Sequence, residues 1–165
     1  IEALLGKIAY FFHASLQGTV PYPGLAATLE DLRSRGIKLG LLADAQSFTM
    51  LQLQRALGEG VRASEIFPAN LRSLSFEVGG RKPSERLFKH FLAAAAKQGI
   101  LPDAILHLGS RIIEDIAPAK KLGMKTALFA GDKESLRATA EQFKDPAFRP
   151  DLLLTELAQL PQAFG

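Results

Sequence analysis

The chain reads as an α/β protein of the doubly wound, three-layer kind, a parallel sheet with helices on both faces. Short apolar runs of strand length, such as IKLGLLA at 37–43 and AILHL at 104–108, lack the polar alternation of a half-exposed strand and so suit burial on both faces. Between such runs lie stretches with apolar residues at helical spacing. The two kinds of segment alternate along the chain, which is how βα units joined by crossovers read.

The elements follow in order. Residues 2–14 place Ala3, Leu4, Leu5, Ile8, Phe11 and Phe12 at helical spacing. TVPYPG at 19–24 is a turn, and Pro23 suits the start of the next helix. That helix carries Leu25, Leu29 and Leu32 on one stripe and should stop at Gly36, which is free to turn left-handed past a helix end. After the strand at 37–43, residues 48–57 return to helical spacing through Phe48, Leu51, Leu53 and Leu57, with Ser47 as the cap. Residues 70–76 suit a strand and Gly79-Gly80 a turn. A helix is expected over 84–98, with Ser84 as N-cap and Leu87, Phe88, Phe91 and Leu92 as its stripe. A short strand at 104–108 leads to Gly109, a helix over 112–122 ends at Gly123, and then come a strand at 125–129, a helix at 135–143 and a last strand at 151–154.

Composition bounds the function. The 165 residues give room for one domain, and a chain of this size buries roughly 70% of its unfolded surface, enough for a core of its own. An apolar fraction of 47% and a charged fraction of 22% are those of a soluble globular protein. The absence of cysteine excludes a disulfide framework, thiolate-held zinc or iron–sulfur clusters, and a thiol nucleophile. The formal charge of +3 arises from interspersed acids and bases, so a mixed solvated surface is expected and a nucleic-acid partner is not. No apolar stretch approaches the roughly 18 residues that a membrane span needs. Glu2 and Lys7 interrupt the first apolar run, which rules out a signal peptide there and points to the cytoplasm. The chain opens on Ile1 within a helical pattern, which suggests a truncated or excised piece.

In doubly wound sheets the ligand lies beyond the carboxyl ends of the strands, so the loops that begin near 43, 76, 109 and 130 carry the chemistry. The first holds Asp44, Ala45, Gln46 and Ser47; the second Arg81, Lys82, Pro83 and Ser84; the third Ser110, Arg111, Glu114 and Asp115. Lys82 lies just before a helix start, where an ammonium and unpaired backbone N–H groups together favour an anion such as phosphate. Asp115, in the first turn of its helix, is of the type that ligates a hard cation such as Mg2+. Each has an ordinary reading as well. A Lys-Pro before a helix is commonly a plain surface lysine, an acid in a first turn complements the helix dipole, and Glu114 is solvated. The histidines show no metal-ligand spacing: His13 and His90 fall in helices, and His107, in a buried strand, is expected to be a hydrogen-bonded core residue. Ser47 lacks the Gly-x-Ser-x-Gly setting of a nucleophile elbow.

The order of these pieces resembles the haloacid dehalogenase superfamily, a group of mostly Mg2+-dependent phosphatases with an aspartate nucleophile. The match runs from about Tyr22 to the last strand, through Tyr22-Pro23-Gly24 and its helix, LLADAQ, RKPSERLF and ILHLGSRIIEDIAPAKKLGMKTALF. The resemblance implies that Lys82 is a catalytic residue that neutralises the nucleophile and phosphoryl oxygens. It implies that Asp44 and Ala45 border the phosphate with Lys82, and that Asp115, with Ser110, faces the metal. The chain also departs from the pattern. The family's first motif is an apolar strand ending in Asp-x-Asp, whose first Asp attacks phosphorus and whose second is general acid and base; it is absent here. Ala43 replaces a hydroxyl that would hold the phosphoryl group, and Ser110 replaces the first metal-binding Asp.

In the family the absent strand lies between those that end here at Ala43 and Gly109. The sheet should therefore lack its centre and leave two ladders of unpaired N–H and C=O groups, to be filled by an upstream segment. On this reading residues 1–18 end a helical cap, most of which is absent, and residues 19–165 form an incomplete core. The expected function is that of a Mg2+-dependent phosphatase-type phosphohydrolase acting on a small phosphorylated metabolite, with the isolated chain inactive for want of a nucleophile. The alternative, motivated by Ala43 and Ser110, is a catalytically degenerate binding or regulatory module on the same fold. A third reading, a plain Rossmann-like or response-regulator-like domain, would set Lys82 and Asp115 on opposite edges of the sheet.

Overall fold

The computed structural model describes residues 2–16 and 20–164. Ile1, Thr19 at the head of the expected turn, the expected boundary between residues 18 and 19, and the side chains of Phe12 and His13 lie outside the described residues. Helix α1 (Glu2–Leu16) comes first. Helix α2 (Leu25–Ser34) follows, entered through Gly24 at φ 77° and left through Gly36 at φ 76°. Both angles are left-handed and cheap only for glycine. Beyond the helix, the Gly36 N–H donates to Arg33 O (2.9 Å) and the Ile37 N–H to Leu32 O (3.0 Å), which satisfies the terminal carbonyls.

Strand β1 (Leu41–Ala43) takes only the end of the apolar run at 37–43. At Gly40 the ring of Phe91 presses onto the backbone where any Cβ would collide, and residues 37–40 join no ladder. Helix α3 (Thr49–Leu57) is capped at Phe48, not Ser47; Thr49 Oγ1 instead accepts the Gln46 N–H at 2.9 Å. A short helix α4 (Ala63–Ile66), which periodicity does not announce in so few residues, precedes β2 (Arg72–Leu74). The expected strand over 70–76 is trimmed at both ends, by a 3-10 turn at Ala69–Leu71 and by helix α5 (Ser75–Val78). Helix α6 (Glu85–Ala96) starts as expected, with Ser84 Oγ accepting from the Arg86 N–H. Then come β3 (Leu106–Gly109), a wide turn of π geometry at Ile112–Ile116 continued by α7 (Ala117–Lys121), and β4 (Lys125–Phe129). The helix expected over 135–143 begins late, as α8 (Ala140–Lys144) behind a Thr139–Gln142 capping box. Asp132 Oδ1 holds the N–H groups of Glu134 and Ser135 in a tight turn, and Arg137 pairs with the 110–112 segment instead of winding into a helix. Strand β5 (Leu152–Leu154) is the last.

All strand pairings are parallel, as the fold class requires, but they form two sheets, β1-β2 and β3-β4-β5. The same helices cover both. On one face Leu25 of α2 packs with the cluster around Leu29 and Leu41 and also with that around Leu106, Leu108 and Phe129. On the other face Leu42 of β1 and Ile105, just before β3, share contacts with Phe88 and Phe91 of α6. Strands β1 and β3 thus lie in one layer without pairing, with a seam between them. Leu41, Leu42, Leu106 and Leu108 are only partly buried along it. Among the described residues no helix is long and apolar enough to cross a membrane.

Candidate active site

The loops at the carboxyl ends of β1 and β3 meet over the mouth of the seam. Ser75, buried at the end of β2, anchors the first loop twice: its Oγ accepts the Ala45 N–H at 2.8 Å and donates to Ala45 O at 3.1 Å. The Ala45 N–H, expected beside a phosphate, is therefore already in use. Asp44 turns the other way, and its Oδ1 accepts the Lys82 N–H at 2.9 Å, with Arg81 Nε 3.9 Å from its Oδ2. Asp44 thus grips the backbone of the Lys82-Pro83 turn, whose peptide bond is cis.

From that turn the Lys82 ammonium reaches across the seam and donates to Asp115 Oδ1 in a direct ion pair. Asp115 is held from below as well. Its Oδ2 accepts the N–H groups of Ser110 (3.2 Å) and Arg111 (3.1 Å), closing the strand end onto the helix start. Two local features permit this. A Cβ at Gly109 would run into the Asp115 carboxylate, so only glycine leaves room for it. The wide turn, in which the Ile116 N–H reaches back to Arg111 O (3.3 Å) and the Ala117 N–H to Ile112 O, tolerates Pro118, which has no N–H to return. Burial by itself would push the Asp115 carboxyl up, but the facing His107 ring and the Lys82 ammonium outweigh it and hold it down at about 2. The carboxylate is ionised at neutral pH and neutralised by Lys82.

His107 departs from its expected role as a hydrogen-bonded core residue. Its ring meets Phe88 edge-on at 5.2 Å, and its buried Nε2 has no hydrogen-bond partner among the described residues. That nitrogen faces Asp115 Oδ1 at 3.9 Å, beyond hydrogen-bond reach. Sequence reading also missed the contact of the Tyr22 hydroxyl with Asp132 and, at 3.0 Å, with Ser135 Oγ. It ties the turn before α2 to the loop after β4, and the Tyr22 ring lies edge-on to Phe129. Lys82 and Asp115 touch, so they are not on opposite edges of the sheet, as the plain Rossmann-like reading would have placed them.

The fit of a divalent cation can be judged from the donors. Among the described residues no three His, Cys, Asp or Glu side chains gather as a metal site would require. Both oxygens of Asp115 are in use, and Ser110 offers only a neutral hydroxyl. Mg2+ demands an octahedron of oxygens with at least one or two carboxylates free to bind it. The described residues do not fit it.

Comparison with known proteins gives a family and a fold. Residues 2–123 match the model of the haloacid dehalogenase-like hydrolases. The chain is 33% identical over 135 residues to the glyceraldehyde 3-phosphate phosphatase of Methanocaldococcus jannaschii, a match that covers 76% of this chain and 55% of that protein. Among solved structures it resembles the HAD phosphatase of Thermococcus onnurineus, with a TM-score of 0.66, 22% identity, and coverage of 87% of this chain and 58% of that one. It also resembles the HAD-hydrolase YfnB of Bacillus subtilis, solved bound to magnesium, with a TM-score of 0.68, 17% identity, and coverage of 86% and 55%. The chain spans about half the length of the curated relatives it matches.

Proposed function

Because the chain belongs to the haloacid dehalogenase-like hydrolase family, we propose that it is most of the core of a cytoplasmic phosphohydrolase acting on a small phosphorylated metabolite. One observation carries the reading: Lys82 spans the mouth of the seam, its backbone bound to Asp44 at the end of β1 and its ammonium to Asp115 at the end of β3. An upstream strand filling the seam would deliver its last residues directly under that ammonium. If it ends in the family's Asp-x-Asp, the first carboxylate attacks phosphorus, the ester oxygen leaves with a proton from the second, and water then cleaves the acyl phosphate. Lys82 neutralises the phosphoryl oxygens throughout, and Asp115 sets where the ammonium sits.

In this proposal the isolated chain is inactive, and α1 is the end of a cap that borders the site; its Tyr10 packs edge-on against Phe48, in the loop that follows β1. The carboxylate that this chain brings to the rim, Asp115, is already paired with Lys82. The names of the curated relatives make glyceraldehyde 3-phosphate the first substrate to try.

The test is to produce the protein with its upstream coding region and assay it on glyceraldehyde 3-phosphate and other phosphomonoesters. Turnover is expected, and an upstream region without an Asp-bearing strand, or no turnover on any phosphomonoester, would overturn the proposal. The degenerate-module reading draws on the same saturated Asp115 together with Ala43. It predicts equilibrium binding of phosphate with no release of product.

A further inference from the structure

We propose that Lys82 takes the place of the divalent cation in this site, so that the phosphate is held by a protein ammonium and binds equally well with and without magnesium. The inference rests on the phosphate-site reading above and on three features of the rim. First, the position where the family carries a metal-binding carboxylate is Ser110. Its backbone is fully engaged in shaping the loop: its N–H goes to Asp115, and its C=O accepts the Arg137 N–H at 3.3 Å. Second, the Asp115 side chain is 4% exposed, with Lys82 on one oxygen and two backbone N–H groups on the other. A cation approaching Asp115 would have to expel the ammonium, leaving a lysine that is itself only 19% exposed without its partner, a costly exchange. Third, the turn that carries Lys82 is tied to the end of β1, since Asp44 accepts the Lys82 backbone N–H, so the ammonium is rooted at this rim.

The experiment uses the protein with its upstream region, freed of metal by chelation. Binding of inorganic phosphate is measured by calorimetry in EDTA and in Mg2+, and Mn2+ binding by electron paramagnetic resonance. The expected result is a phosphate affinity that agrees within about twofold between the two conditions, with Mn2+ bound no more tightly than millimolar. Lys82→Met should weaken phosphate binding at least about tenfold, and Ser110→Asp should tighten Mn2+ binding by about tenfold or more. Mn2+ held at micromolar levels by the unaltered protein and released by Asp115→Asn would overturn the proposal, and so would phosphate binding that requires Mg2+. These metal arms are read on the unaltered protein, so a variant that fails to fold does not remove the test. Metal-free phosphate binding without turnover would overturn the hydrolase reading alone. Turnover together with tight Mn2+ binding would overturn this proposal alone, and no phosphate binding in either condition overturns both.

Discussion

A side chain at position 109 and the Asp115 carboxylate compete for the same space. Gly109→Ala should therefore push Asp115 off the Ser110 and Arg111 N–H groups and off Lys82. Because this strands a buried charge, the loss of stability should be about 3 kcal/mol in chemical denaturation, similar to that of Asp115→Ala. A change below about 0.5 kcal/mol would mean that the turn relaxes freely. Asp132 supplies a second residue-scale prediction. The Tyr22 hydroxyl, with the Ser135 hydroxyl and nearby N–H groups, holds its carboxyl down at about 2. A depressed carboxylate stabilises the fold above its unfolded pKa of about 3.9, and that stabilisation disappears as pH falls through about 2. Tyr22→Phe should raise the Asp132 value toward the ordinary range, read by carboxyl carbon shifts in an NMR titration; no movement would remove Tyr22 as the cause. Lys82 and Asp115 stood out in the sequence because each is a charged residue expected just before a helix or in its first turn. The partners of Asp44 and Tyr22 were not, since each lies in a different loop of the chain and local spacing says nothing about which loops converge.

At the scale of elements, α6 was the most legible part of the molecule. Its polar cap and its stripe of Leu87, Phe88, Phe91 and Leu92 announce start and buried face together; the first three are buried and Leu92 is half-buried, while the helix stops at Ala96, short of the expected 98. Phe88 touches both sheets' coverings: it packs with Leu42, with Ala119 and Met124, and edge-on with His107. Phe88→Ala should cost about 3–5 kcal/mol in denaturant unfolding, and a loss under 1 kcal/mol would show that α6 does not hold the two sheets together. The elements misread are those set by side chains bonding to backbone. Ser75 clamps Ala45 and so ends β2 early, the Asp132 turn delays α8, and the Asp115 carboxylate shapes the wide turn after β3. Such bonds depend on what stands across the rim, so hydrophobic periodicity carries no trace of them.

At the scale of the whole molecule, the doubly wound class and the parallel pairing followed from the alternation of apolar runs and helical stripes. The division into two sheets did not follow from periodicity at all; it was expected only from the family's strand order. Strands β1 and β3 do not pair, carry partly buried leucines and share the same covering helices. If an upstream strand fills the seam, the amides of Leu42 and Leu108 should exchange with solvent markedly more slowly in the longer protein than in these 165 residues alone. Equal exchange would deny the seam a strand. The central claim, that Lys82 is the cation of a phosphoryl-transfer site at the mouth of this seam, is tested most directly by phosphomonoester turnover of the protein carrying its upstream region, with and without Lys82→Met. A fall in kcat of about 100-fold or more, with the fold intact by circular dichroism, is the predicted result; turnover unchanged by the substitution would contradict it.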